Sequence, residues 1–288
     1  MKTARFAVTL FVMFLGTLTQ AEIQVAFGPN PRSYDNLQVW AYDTATGQAP
    51  WRALRAAGVR KIVLNSTFLA RHHIDEDRVD GKLKPKPRAT YLKHADFQNM
   101  AKMVTRDGFE FSVIGGLGLS TKARCRQILK SPQTGAAAAA RTEFNNIFVP
   151  MLSSGSGVPI HEIAIDGLFL RLIQHSQKAK GCHSHGVPLS VQQTAVAADT
   201  YLKTLWGLIR AHPAQRGIVP RVVLIVNLPN WHAGGVARVV RPGRDGALTE
   251  VFDAFNKLRA GQATAPPIDR IRVDYPFCYL IGQALCVT

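Results

Sequence analysis

Short apolar runs alternate with helix-period segments along most of the chain, and this alternation predicts its elements. Leu37-Gln38-Val39-Trp40-Ala41-Tyr42 alternates apolar with polar, is rich in β-formers and predicts a strand ending at Asp43. Pro50–Ala57 then has helical spacing, with Pro in its first turn and Gly58 closing it. Lys61–Asn65 is the next strand and completes a β–α–β unit. A helix is predicted over 95–106, with Phe97, Met100, Ala101, Met103 and Val104 on its inner side and Asp107-Gly108 as its stop. Phe109–Ile114 is the third strand and ends in Gly115-Gly116-Leu117-Gly118, where a backbone can approach a ligand closely or turn tightly. Residues 121–130 predict one helix. The Ala136–Ala140 run and Phe144–Leu152 predict another, ended by Ser153–Gly157. Ile163–Leu170 is the fourth strand, an apolar run with one carboxylate, Asp166, inside it. Val191–Arg210 is a long amphipathic helix, Arg221–Val226 the fifth strand, Leu248–Leu258 a helix and Ile268–Val273 the sixth strand.

Six alternations of strand and helix, with strands read as continuously apolar, predict an α/β fold with a parallel sheet covered by helices. No GxGxxG follows the first strand, and polar residues stand at the C-terminal end of nearly every strand. Both features favour a (β/α) TIM-like barrel over an open doubly wound sheet, because barrel strand ends converge on one mouth. Short strands near 23–27 and 279–285 would complete the barrel; without them it is incomplete. No repeat or boundary divides the chain, so residues 22–288 are expected to form one barrel-like domain. Two polar loops, 66–91 and 174–188, are long for plain connectors.

The first residues change the compartment. Lys2 and Arg5 precede an apolar run from Phe6 to Leu18, and Thr19-Gln20-Ala21 offers a cleavage site. That is the pattern of a secretory signal peptide over residues 1–21, and the run is shorter than a bilayer span. No later segment is apolar enough to cross a membrane, so a secreted or periplasmic protein is expected, with no transmembrane segment after cleavage. Loss of Lys2 and Arg5 lowers the formal charge from +16 to +14, still strongly basic. Such a charge favours anionic envelope surfaces. The densest basic run, Lys82–Arg88, lacks interleaved aromatics and reads as a solvated extended loop, so no specific nucleic-acid partner is expected. The four cysteines suggest two disulfides in an exported chain, with Cys125–Cys182 and Cys278–Cys286 favoured among three pairings. His175, Cys182, His183 and His185 share a loop but match no standard zinc spacing, and neither metal nor cofactor is expected.

The candidate chemistry lies at the strand ends. Asp43, Asp166 and Asp274 are the candidate catalytic acids, and Asn65, Asn227 and Asn230 stand beside them. Trp40, Tyr42, Trp231 and Tyr275 are aromatic neighbours and candidate binding residues. Carboxylates handle proton transfer or oxocarbenium charge, and aromatic faces stack on the C–H faces of sugar rings. The set therefore points to an oligosaccharide or polysaccharide. With strand alternation, Asp166 points into the barrel and its partner comes from a neighbouring strand: Asn227, Asp274 or Asp43.

Ser112-Val113-Ile114-Gly115-Gly116, followed on the next strand by Ile165-Asp166-Gly167, resembles the SxGG and DG strands of family 18 glycoside hydrolases. The resemblance implies a barrel acting on carbohydrate. If Asp166 is the first Asp of that family's DxxDxDxE pattern, its remaining acids fall at Phe169, Arg171 and Ile173. The family's usual acid is thus replaced, and the resemblance implies the fold without the mechanism. The same strand is similar to that of secreted polygalactosaminidase-type barrels, whose following Asp would fall at Arg171. Two functions follow as expectations: a glycoside hydrolase acting on a cell-envelope or extracellular polysaccharide, or a non-catalytic barrel binding a glycan or envelope polymer. A scaffold using its basic surface is a third.

Overall fold

A computed structural model describes residues 25–27, 50–65, 76–79, 82–85, 94–119, 121–153, 157–173, 182, 185–227 and 248–274. Its centre is a parallel sheet of five longer strands and one three-residue strand. In chain order they are β1 (Val25–Phe27), β2 (Val59–Asn65), β5 (Glu110–Gly115), β6 (Glu162–Asp166), β7 (Arg221–Asn227) and β8 (Ile268–Asp274). They lie side by side in that same order, each pair parallel. A doubly wound sheet reverses its strand order at a switch point; this one runs in a single direction, as a barrel's strands do. Among the described residues the sheet does not close, and β1 and β8 are its edges.

The expected first strand, Leu37–Tyr42, lies outside the described residues, whereas the short strand expected near 23–27 is β1. A second sheet occupies part of the loop expected over 66–91. There β3 (Glu76–Val79) and β4 (Lys82–Pro85) pair antiparallel around Asp80-Gly81, a dipeptide suited to hairpin turns. The basic run expected as a plain loop is thus in part a strand.

The fourth strand is shorter than its apolar run suggests. It ends at Asp166; Gly167 then takes φ +64°, and a turn leads into a short helix, Leu170–Ile173. The alternation expected through Leu168 and Leu170 does not exist. Phe169 is buried instead against the rings of Phe252 and Phe255, at 4.7 and 5.2 Å between centroids.

Helices cover one face of the sheet. They are α1 (Pro50–Ala56), α2 (His94–Arg106), α3 (Lys122–Lys130), α4 (Pro132–Glu143), α5 (Val149–Leu152), α6 (Leu170–Ile173), α7 (Val191–Ala211) and α8 (Leu248–Arg259). A π-helical turn over Phe144–Phe148 joins α4 to α5, and Pro150, with no N–H to give, follows it. Ser190 caps α7, its side chain taking the Gln193 N–H while Gln193 returns a bond to the Ser190 N–H. Cys125 of α3 is bonded to Cys182, with Cα atoms 5.2 Å apart, as the favoured pairing anticipated. Cys278 and Cys286 lie outside the described residues.

The sheet has two unlike faces. Ile62, Leu64, Phe111, Val113, Ile163, Ile165, Val222, Leu224 and Val226 pack under the helices in the main core. Ala164, Val223 and Ile225, with Ile114 against them, form a separate small cluster on the other face. Period-two alternation explains the split. It also corrects the expectation of continuously apolar strands: the second face carries Lys61, Glu110, Ser112, Glu162 and Arg221 at its lower end.

Candidate functional site

The strand ends meet where parallel registration requires. Asn227 pairs in register with Asp274, and Asp166 with Ile225, two residues below Asn227. Asn65 pairs with Ile114, which pairs with Ala164, two residues below Asp166. By alternation Asn65, Asp166, Asn227 and Asp274 therefore occupy positions on the same face as the small apolar cluster. Strand spacing puts neighbouring Cα atoms about 4.8 Å apart and those of Asp166 and Asp274 roughly 12 Å apart. Asp43, Trp40, Tyr42, Asn230, Trp231 and Tyr275 lie outside the described residues, as do His175 and His183.

Asp166 is the member whose side chain is described. Its carboxylate is 41% exposed and accepts from Arg171 Nη2 at 3.1 Å, while Arg171 Nε donates to the Asp166 carbonyl at 3.0 Å. The partner therefore comes from the short helix just after the strand, not from a neighbouring strand. Gly167 makes this possible, because its left-handed backbone folds the chain back so that a side chain five residues on can reach the strand end. Two positions where the family 18 pattern has acids are thus committed otherwise: Phe169 fills the core, and Arg171 clamps Asp166.

Below this edge the same face is charged. Lys61 forms an ion pair with Glu162, and both side chains are buried. Ser112 Oγ donates to the other Glu162 oxygen at 2.8 Å, and Arg272 Nη2 lies 3.8 Å away. Burial alone would raise the Glu162 pKa, but hydrogen bonds from Lys61 and Ser112, with the charges of Lys61 and Arg272, outweigh it and hold the pKa below its usual value. Glu162 is an anion in the folded protein and does not serve as a proton donor. Arg221 and Glu110 form a second pair on this face. The neighbouring His161 has its pKa lowered chiefly by burial, and its Nδ1 accepts the Phe111 N–H at 3.2 Å.

The glycine run at the end of β5 encloses a side chain. Glu143 of α4 is buried, and its carboxylate accepts the Gly116 N–H at 2.6 Å, the Gly118 N–H at 3.0 Å and the Tyr201 hydroxyl at 2.6 Å. A Cβ at Gly115 would stand 2.8 Å from that carboxylate, and one at Gly116, whose φ is +104°, would stand 2.7 Å from the Asp166 carbonyl. The second contact explains how β5 can leave the sheet against the end of β6. Burial, and then the Glu143 charge, push the Tyr201 phenol well above its ordinary pKa. Sequence reasoning missed Lys61, Glu162 and Glu143. The alternation Glu162-Ile163-Ala164 carried a signal for the first two; Glu143, at the end of a helix, carried none.

Cys182 is committed to its disulfide, which removes it from the ligand set considered for the histidine loop. Among the described residues no three His, Cys, Asp or Glu side chains group as metal ligands, and no helix is long and apolar enough to cross a membrane.

No protein-family profile matches the chain, and no curated protein does. Solved structures give distant likenesses. One is a mutant of the cellobiohydrolase Cel6A from Humicola insolens in complex with methyl-tetrathio-alpha-d-cellopentoside, at TM-score 0.41 and 14% identity, over 86% of this chain and 60% of that one. Another is the family 1 b-glucosidase from Thermotoga maritima, at TM-score 0.33 and 11% identity, over 76% and 42%. A third is the virulence factor SghA with its substrate analog salicin, at TM-score 0.30 and 10% identity, over 87% and 50%. This chain thus spans 60% or less of the length of each, and at such scores neither its fold family nor its activity follows from theirs.

Proposed function

We propose that the C-terminal edge of the sheet is the binding site of an exported carbohydrate-active protein that holds an oligosaccharide or polysaccharide without cleaving it. The observation that carries this reading is the convergence of Asp166, Asn227 and Asp274 on one face at the ends of three adjacent strands, with the Asp166 carboxylate half-exposed and held by Arg171. A carboxylate fixed by a guanidinium and open to solvent is a pre-set acceptor for sugar hydroxyls. The buried Phe169 and the engaged Arg171 argue against the family 18 mechanism. Tyr275, next in sequence to Asp274, and Trp231, four residues after Asn227, supply stacking faces in this reading. Secretion and signal cleavage over residues 1–21 belong to the same proposal; the Cys125–Cys182 disulfide supports an oxidising compartment.

Hydrolysis is the second reading, with Asp166 and Asp274 as the carboxylate pair and Asp43 assisting. It rests on Asp274 lying in register beside Asn227. A glycan array and a panel of labelled oligosaccharides separate the two. Binding without turnover is expected, weakened about tenfold in Asp166→Ala through loss of a charged acceptor. Cleavage by the wild type that is lost in Asp274→Asn would establish hydrolysis instead. Absence of binding to every glycan would sink the carbohydrate reading.

A further inference from the structure

We infer that the outer face of α3, with the adjoining end of α4, docks the protein on a lipid bilayer carrying anionic phospholipid. Residues 122–142 hold five cations, Lys122, Arg124, Arg126, Lys130 and Arg141, and no Asp or Glu. None of the five has an ion-pair partner among the described residues. Elsewhere in the fold Lys61 pairs with Glu162, Arg221 with Glu110, and Lys203 and Arg259 with Asp199. On the α3 face five cations gather with no ion pair among the described residues.

Its geometry is specific. At 3.6 residues per turn, Lys122, Arg126, Leu129 and Lys130 fall within about 100° of the helix circumference. All four are exposed, while Cys125 and Ile128 turn to the core. The disulfide from Cys125 to Cys182 fixes the rotation of α3 about its axis. At the helix start, Arg124 donates to Gln127 at 2.7 Å and to Thr142 of α4 at 3.2 Å, bringing the last turn of α4, with exposed Arg141, alongside.

Leu129 decides the class of partner. It is 40% exposed, one of three large apolar side chains so exposed among the described residues, and it lies at the edge of the basic arc, about 60° around the helix from Arg126. A hydrated polyanion gives a leucine nothing to bury against. A bilayer does: cations meet lipid phosphates while the apolar side chain enters the headgroup boundary. The proposed contact is peripheral, made by one face of a helix lying against the headgroups. The densest basic run of the sequence, Lys82–Arg88, is not part of this face.

The test is co-sedimentation of the full mature chain with phosphatidylcholine vesicles, with and without phosphatidylglycerol. Binding is expected only with the anionic lipid, falling as salt rises. Lys122→Glu/Arg126→Glu/Lys130→Glu should weaken it roughly a hundredfold or more, and Leu129→Ser several-fold, with unchanged circular dichroism. A triple reversal elsewhere, Arg52→Glu/Lys102→Glu/Lys257→Glu, matches the charge change and should weaken binding far less. Equal loss in both triple variants would overturn the inference, because net charge alone would then explain binding. So would equal binding to neutral vesicles, or binding to a soluble uronate polymer with none to vesicles. The experiment is independent of the glycan site, whose failure leaves it standing.

Discussion

Two carboxylates are buried on opposite sides of the sheet, and they are held by different means. Glu162, on the strand face with the small apolar cluster, is matched by the cation of Lys61, the hydroxyl of Ser112 and, at longer range, Arg272. Glu143, among the helices, has two glycine N–H groups and the Tyr201 hydroxyl. On the strand face, neighbouring strands present side chains at the same height, so a lysine and a glutamate two strands apart can meet. On the helix side the space is filled by the main core, and the acceptor is satisfied by N–H groups that only a glycine turn brings close enough. The first arrangement depends on a pair of charges; the second depends on backbone.

That difference predicts unlike responses to mutation. The largest effect is expected for Glu143→Ala, which orphans three buried donors and should cost about 4 kcal/mol, read from the urea midpoint. A loss below about 1 kcal/mol would mean that water replaces the carboxylate and would dissolve the contrast. Lys61→Met comes next, at about 3 kcal/mol, since it strands a buried anion. The double change Lys61→Met/Glu162→Leu should recover most of that loss, because two apolar groups can replace a buried pair. No double change rescues Glu143→Ala fully in this way, since two of its three donors are main-chain. The smallest effect is that of pH. The folded-state pKa of Glu162 is depressed, so its contribution is present above the ordinary carboxylate value and is lost as pH falls through the folded value. Stability of the wild type should therefore drop more steeply with acid than that of Glu162→Gln. Parallel acid profiles would show that the ion pair adds no net stabilisation.

Much of the frame was legible in the sequence. Strand and helix alternation, β1 near residues 23–27, and the Cys125–Cys182 pairing all appear in the structure. The misreadings are local and physical. Leu168-Phe169-Leu170 extends the apolar run of β6, and periodicity cannot tell a strand from a buried turn entering a helix. Gly167 was the signal: with φ +64° it ends the strand and gives Asp166 its partner in Arg171. The glycines at 115, 116 and 118 were read as a place where the backbone meets a ligand or turns tightly. What approaches them is Glu143, more than twenty residues later on a helix. Of the candidate site, Asn65, Asp166, Asn227 and Asp274 fall at strand ends as expected, and the other six lie outside the described residues.

By itself the sequence determined the kind of layers, their order along the chain and the residues at strand ends, because hydrophobic period and turn chemistry act over a few neighbours. Only the tertiary structure decided which charges pair. Lys61 reaches Glu162 across a hundred residues because β5 lies between their strands, and Arg259 reaches Asp199 because α7 packs on α8. Among the described residues it also left the cations of α3 without an acid in reach. Pairing follows distance in space, and one-dimensional patterns carry no record of it.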